Sequence, residues 1–142
     1  MRYDCGSITL ELPTGWCDTT AEDQPFTLSK TVGVGALQFS VATYKEGSPP
    51  AIDVTALGSM VVEFAKTNSL GALRDQVQTQ DELSLAAASF KADEYTYGRV
   101  WYVSDGSSLA KITYVSEQTP PQLELQEAEQ IVRSLQFAPS DA

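Results

Sequence analysis

Tyr97-Gly-Arg-Val-Trp-Tyr-Val-Ser104 and Leu109-Ala-Lys-Ile-Thr-Tyr-Val-Ser-Glu117 are two runs of β-branched and aromatic residues, and Asp105-Gly106-Ser107-Ser108 stands between them. Asp-Gly between two such runs is a strong hairpin signal, because both residues tolerate the backbone that matches the twist of the flanking strands. The two runs are therefore read as antiparallel neighbours. Alternation places Arg99, Trp101 and Val103 on one face of the first run and Val100, Tyr102 and Ser104 on the other. A third strand-like run, 83–95, comes before them. Its centre, Ala86-Ala87-Ala88, would also tolerate a helix. Together the three runs predict an antiparallel meander.

Residues 7–12 alternate strictly, with Ile8, Leu10 and Leu12 on one side and Ser7, Thr9 and Glu11 on the other, which predicts a half-buried strand. Pro13-Thr14-Gly15 ends it, and Trp16 is expected as a lid over one end of the core. Residues 18–24 read as an acidic loop, 25–29 as a short strand, and 36–44 as a strand with Leu37, Phe39 and Val41 inward. Asp53 is placed to cap a helix running to about residue 68, whose stripe is Val54, Leu57, Val61, Phe64 and Ala65. Gly58 inside it would permit close approach to the sheet. Residues 73–80 are ambiguous, with a short strand as one reading. Thr119-Pro120-Pro121 breaks the sheet. A last helix over 122–134 turns Leu125, Ala128, Ile131, Val132 and then Leu135 inward, and Glu124, Glu127, Glu129 and Arg133 outward. The fold class expected is α+β: a single antiparallel sheet of five to seven strands with two helices packed on the same core, in one domain spanning 1–142.

Composition narrows the chemistry. The chain has 142 residues, 19 acidic against 9 basic, a net charge of −10 and no histidine. One domain of this size builds a core without metal or disulfide staples. Nine scattered cations supply no basic footprint, which argues against nucleic acid and anionic membranes as partners. The absence of histidine removes Ser-His-Asp and Cys-His nucleophiles and histidine-ligated metals. The apolar stretches 52–57 and 59–65 are short and interrupted by polar residues, whereas a membrane span needs about 20 apolar residues. Met1-Arg2-Tyr3-Asp4 leads into an alternating strand, not an apolar leader core, so a cytoplasmic start is expected. Cys5 and Cys17 flank an extended segment that holds them too far apart for a disulfide, so two reduced thiols are expected.

The element order, the opening "LELPTGW" with Pro13, Gly15 and Trp16, and the closing "AEQIVRSLQF" with Ile131, Val132, Ser134, Leu135 and Phe137 resemble the PsbP-like family. That family includes the photosystem II extrinsic subunit PsbP, the yeast Ran nucleotide-release factor, and small bacterial proteins such as accessory chaperones of type VI secretion effectors. The matched residues make a turn, a core aromatic and a core helix, and they carry no catalytic assignment. The fold hosts unrelated functions.

Acids, hydroxyls, glycines and aromatics are the residue types that could build a site here. Glu22-Asp23, Asp81-Glu82 and Asp93-Glu94 are adjacent pairs, and on a strand such neighbours point to opposite faces, so solvated acidic surface is expected rather than a catalytic or calcium pair. Ser104-Asp105-Gly106-Ser107-Ser108 has hydroxyls beside an acid but no base to activate them. Val32-Gly33-Val34-Gly35 lacks the Lys-Ser/Thr partner of a phosphate cradle. No catalytic residues, metal ligands or cofactors are therefore assigned. The aromatic cluster is the stronger signal. If helices cover one face only, part of Tyr95, Tyr97, Trp101, Tyr102 and Tyr114 should be exposed, and exposed Tyr and Trp beside charge are typical of interface hot spots. The partner-binding surface expected is Tyr95, Tyr97, Arg99, Trp101 and Asp105, with Asp93 and Glu94 at its rim. The acidic loop at Asp18–Asp23 is the next candidate. The function expected is a non-enzymatic protein-binding module of a bacterial cytoplasm. Its partner would be basic or carry an apolar segment: a toxin, if this is an immunity protein, or a type VI secretion effector, if it is a chaperone or adaptor. An envelope or photosystem-like accessory subunit is the third alternative.

Overall fold

A computed structural model of the chain describes residues 2–4, 8–22, 25–43, 53–68, 70, 73–80, 83–92, 95–106 and 108–137. The elements run β1 (Arg2–Asp4), β2 (Ile8–Glu11), β3 (Trp16–Asp18), β4 (Phe26–Lys30), β5 (Gly35–Thr43), α1 (Val54–Thr67), β6 (Arg74–Gln80), β7 (Ser84–Ala92), β8 (Tyr95–Ser104), β9 (Ser108–Ser116), α2 (Gln122–Arg133) and β10 (Gln136–Phe137). Seven strands form an antiparallel sheet in the order β3-β4-β5-β9-β8-β7-β6, and β1-β2-β10 form a smaller one.

The Asp-Gly hairpin forms as expected. β8 and β9 pair from Tyr97↔Ser116 to Ser104↔Leu109. Gly106 takes a positive φ of 99°, and the Asp105 carboxylate accepts the Ser108 amide at 2.7 Å. Asp53 caps α1, its Oδ1 accepting from the Ala56 amide at 2.8 Å. Gly58 lies against the Gln78 side chain of β6, where a Cβ would collide. The ambiguous segment 73–80 is a full strand at the sheet's end. Trp16 is buried and opens a short strand, in which Cys17 pairs in register with Ser29. The Cys17 thiol is exposed and unbridged, and Cys5 lies outside the described residues.

One expectation is corrected. The two helices do not share a core; they lie on opposite faces of the large sheet. Leu57 and Val61 of α1 pack on Ala86, Ala88, Val100 and Tyr102. Ala128, Ile131 and Val132 of α2, joined by Ile8 and Leu10 of β2, pack on Leu85, Ala87, Trp101, Val103 and Ile112. Both faces of β7 and β8 are therefore buried over residues 85–90 and 98–104. The Ala86-Ala87-Ala88 run suits this position, because small side chains let a layer approach from each side. Phe90 lies flat over Gly98, where any Cβ would strike the ring.

Candidate functional site

Cross-strand register assembles a row on the α2 face: Arg74↔Ser89, Ser89↔Arg99 and Arg99↔Tyr114. At its outer end β6 shifts register between Arg74 and Val77, and Asp75 adopts a left-handed φ of 49°. A bulge re-aims the backbone. Here the Asp75 carbonyl accepts from Arg99 Nη1 at 3.0 Å, and Ser89 Oγ accepts from the same nitrogen at 2.9 Å. Arg99 is 7% exposed, and its Nε donates to Glu129 Oε1 at 2.7 Å. Its guanidinium carbon lies 5.5 Å from the Trp101 ring centre. The Trp101 indole donates to the same Glu129 oxygen at 3.2 Å, and Arg133 Nε donates to Glu129 Oε2 at 3.2 Å. Tyr97 OH and Ser89 Oγ are 2.9 Å apart.

A cleft of about 360 Å³ opens over this network, walled by Val77, Tyr97, Trp101 and Leu125. A larger groove of about 970 Å³ follows along the same flank, with Leu85, Val103, Leu135 and Phe137 among its apolar lining and Glu11 and Asp105 among its acids. β6 lends Val77 to the cleft and Thr79 to the groove; α2 lends Leu125 and Glu129 to the first, Val132 and Arg133 to the second. The arrangement offers hydrogen bonds and apolar contact to a bound segment. Among the described residues, no group of three or more Cys, Asp or Glu is gathered to hold a metal ion.

The glutamates of α2 depart from the outward placement expected of them. Glu124 is 2% exposed. Its carboxylate accepts from the Val34 amide at 3.1 Å, the Gly35 amide at 3.0 Å and the Tyr114 hydroxyl. Burial, then the hydrogen bond to Glu124, pushes the Tyr114 hydroxyl far above its ordinary pKa. Glu127 accepts from Lys30 Nζ at 2.6 Å and from the Trp16 indole at 3.3 Å. The Lys30 hydrogen bond is the main reason its carboxyl lies below its ordinary pKa. A signal for Glu124 was present: 124, 128, 131 and 135 step by four, three and four, so it shares the stripe of Ala128, Ile131 and Leu135. Asp75 had no signal in the sequence, because a bulge depends on both strands.

Of the surface expected to bind a partner, Trp101 is fully buried and Arg99 nearly so, which corrects the exposure expected of both. The physical reason is α2, which covers the face that was assumed open. Tyr97 is half-buried at the cleft, and Asp105 is exposed at the groove. Tyr95 opens β8, with its side chain outside the described residues, as are Asp93 and Glu94. In the acidic loop, Asp18 is exposed and accepts from Thr20 Oγ1 at 2.5 Å and from Tyr3 OH at 2.6 Å. These bonds, the Thr20 hydroxyl first, lower its pKa. Asp23 lies outside the described residues.

No family model matches this chain, and no curated protein does. Solved structures do. Cyanobacterial PsbP (CyanoP) from Synechocystis sp. PCC 6803 aligns with a TM-score of 0.59 at 9% identity, over 97% of this chain and 92% of that one. A protein from Bacteroides thetaiotaomicron VPI-5482 aligns with a TM-score of 0.58 at 12% identity over 94% of this chain. This chain spans 46% of the Bacteroides protein. At these identities the likeness is one of fold, and the antiparallel sheet with its two helices is PsbP-like.

Proposed function

We propose that this chain is a non-enzymatic protein-binding module of a bacterial cytoplasm, and that it neutralises a basic toxin as an immunity protein. The net charge of −10 is the observation that carries this reading. Such a charge steers a cationic protein into encounter and disfavours acidic competitors. The expected contact region runs from Tyr97 and Arg99 at the cleft to Asp105 at the groove, and Tyr95, Asp93 and Glu94, which precede Tyr97 in the sequence, are proposed to contribute to it. Trp101 supports that region from beneath.

A second reading is favoured by the apolar lining of the groove at Leu85, Val103, Leu135 and Phe137. That lining suits a chaperone or adaptor holding a segment of a secreted effector. Both readings are tested by capturing partners from the native host on the full chain and measuring their association rates at 0.1 M and 1 M salt. The Debye length shortens between these from about 10 Å to about 3 Å, so a charge-steered rate should fall steeply. An acidic partner, or a rate indifferent to salt, overturns the capture of a basic partner. The captured protein's own activity then separates the two readings: an immunity protein abolishes it, and a chaperone leaves it intact after release.

A further inference from the structure

We infer that β6 is a docking edge at which an extended segment of the protein partner adds as a further strand, its inward side chains closing the Arg99 cleft. This rests on the protein-binding reading above. Among the described residues β6 pairs only with β7, so the backbone groups of its other edge have no partner strand. Such an edge is a template for another chain. The opposite edge, β3, has three residues, whereas β6 has seven. The register shift is confined to Arg74–Val77, and Val77 to Gln80 pair regularly with Ala87 to Ser84. Four residues of regular edge therefore remain.

The bulge supplies a second, independent observation. Asp75 takes a left-handed backbone that non-glycine residues rarely adopt, and the carbonyl it presents fixes a nearly buried arginine. Strain of this kind collects where a ligand is held. The Arg99–Glu129 pair lies at this cleft, its arginine 8% and its glutamate 28% exposed, so charged and apolar groups stand together where the added strand would arrive. An added strand would direct every second side chain toward the α2 face, above the cleft walls Val77 and Leu125. Those side chains would be apolar. The alternate ones, facing away, would be basic, matching the charge of the chain.

The probe is the synthetic peptide Lys-Val-Lys-Val-Lys-Val-Lys, with Lys-Lys-Lys-Lys-Val-Val-Val as a control of equal charge. Amide hydrogen exchange of the full chain is followed with each. The alternating peptide should bind and slow exchange of β6 amides within Val77–Gln80; the control should do neither. Alternate amides of an edge strand point away from its neighbour, so one of Gln78→Pro and Thr79→Pro removes an outward donor and leaves the β7 ladder intact. That variant, recognised by a melting temperature near wild type, should bind the alternating peptide about tenfold more weakly or worse. If both peptides bind alike with β6 exchange unchanged, strand addition is overturned and charge-driven capture stands. Unweakened binding by the stable proline variant also overturns it. If neither peptide binds at low salt, both readings fall.

Discussion

Trp101 carries the largest side chain with no exposed surface, and its indole nitrogen is tied to Glu129. Trp101→Ala should destabilise the fold by about 3–5 kcal/mol, read from denaturant unfolding, through the cavity and the carboxylate contact it removes. A loss of partner affinity with unchanged stability would contradict its place in the core. Tyr114 tests a different force. Its pKa is raised by burial, as is that of Tyr102. An unfolded tyrosine ionises near pH 10, and the folded chain resists ionising these two. Stability is therefore fully present below about pH 10 and declines as pH rises above it. Tyr114→Phe should flatten that decline in melts from pH 8 to 11. At neutral pH it should cost about 1–3 kcal/mol, because Glu124 keeps two backbone amides and loses a donor. The tryptophan's burial was hard to read in advance, because Arg99, Trp101 and Val103 alternate as well on a covered face as on an exposed one. What buries them is a helix that begins only at Gln122, well beyond the hairpin.

The first helix was legible almost to its ends, because Asp53 both caps it and announces it. Asp53→Ala removes the bond to the Ala56 amide and should cost about 1 kcal/mol, measured by thermal melting. A larger loss would mean that Asp53 holds more than the helix start. The hairpin at Asp105-Gly106 was equally legible, since turn chemistry is local. β1, β3 and β10 were not. Each has three residues or fewer, too short for alternation to register, and each exists because a partner strand lies beside it. The second helix was legible in extent and misread on its polar side. Glu124, within an apolar stripe, was assigned to solvent, although it finds two amides and a hydroxyl inside.

The sheet divides the molecule into two apolar layers, one beneath each helix. Leu57→Asp places a charge in the first and Ile131→Asp in the second. Each should unfold the whole domain, since an unpaired buried charge costs several kcal/mol and β7 and β8 belong to both layers. In Leu57→Asp, tryptophan fluorescence should be lost together with far-ultraviolet circular dichroism, although Trp16 and Trp101 belong to the other layer. A surviving native fluorescence would show that the layers fold separately. Sequence alone pointed to the PsbP-like arrangement through its element order, but not to which helix takes which face. Local periodicity says that a helix has an inner side and leaves open what that side meets. The acids of α2 settle its seat. Glu124 reaches the Val34–Gly35 backbone and β9, Glu127 reaches Lys30, and Glu129 reaches Arg99. Their spacings are three and two, and no slide of the helix reproduces them. A slip of four brings Ala128, Ile131 and Arg133 to the three stations, and a slip of three brings Glu127, Gln130 and Val132. Either would leave the Arg99 guanidinium without its counter-charge, so the helix works as a key cut for one depth of insertion.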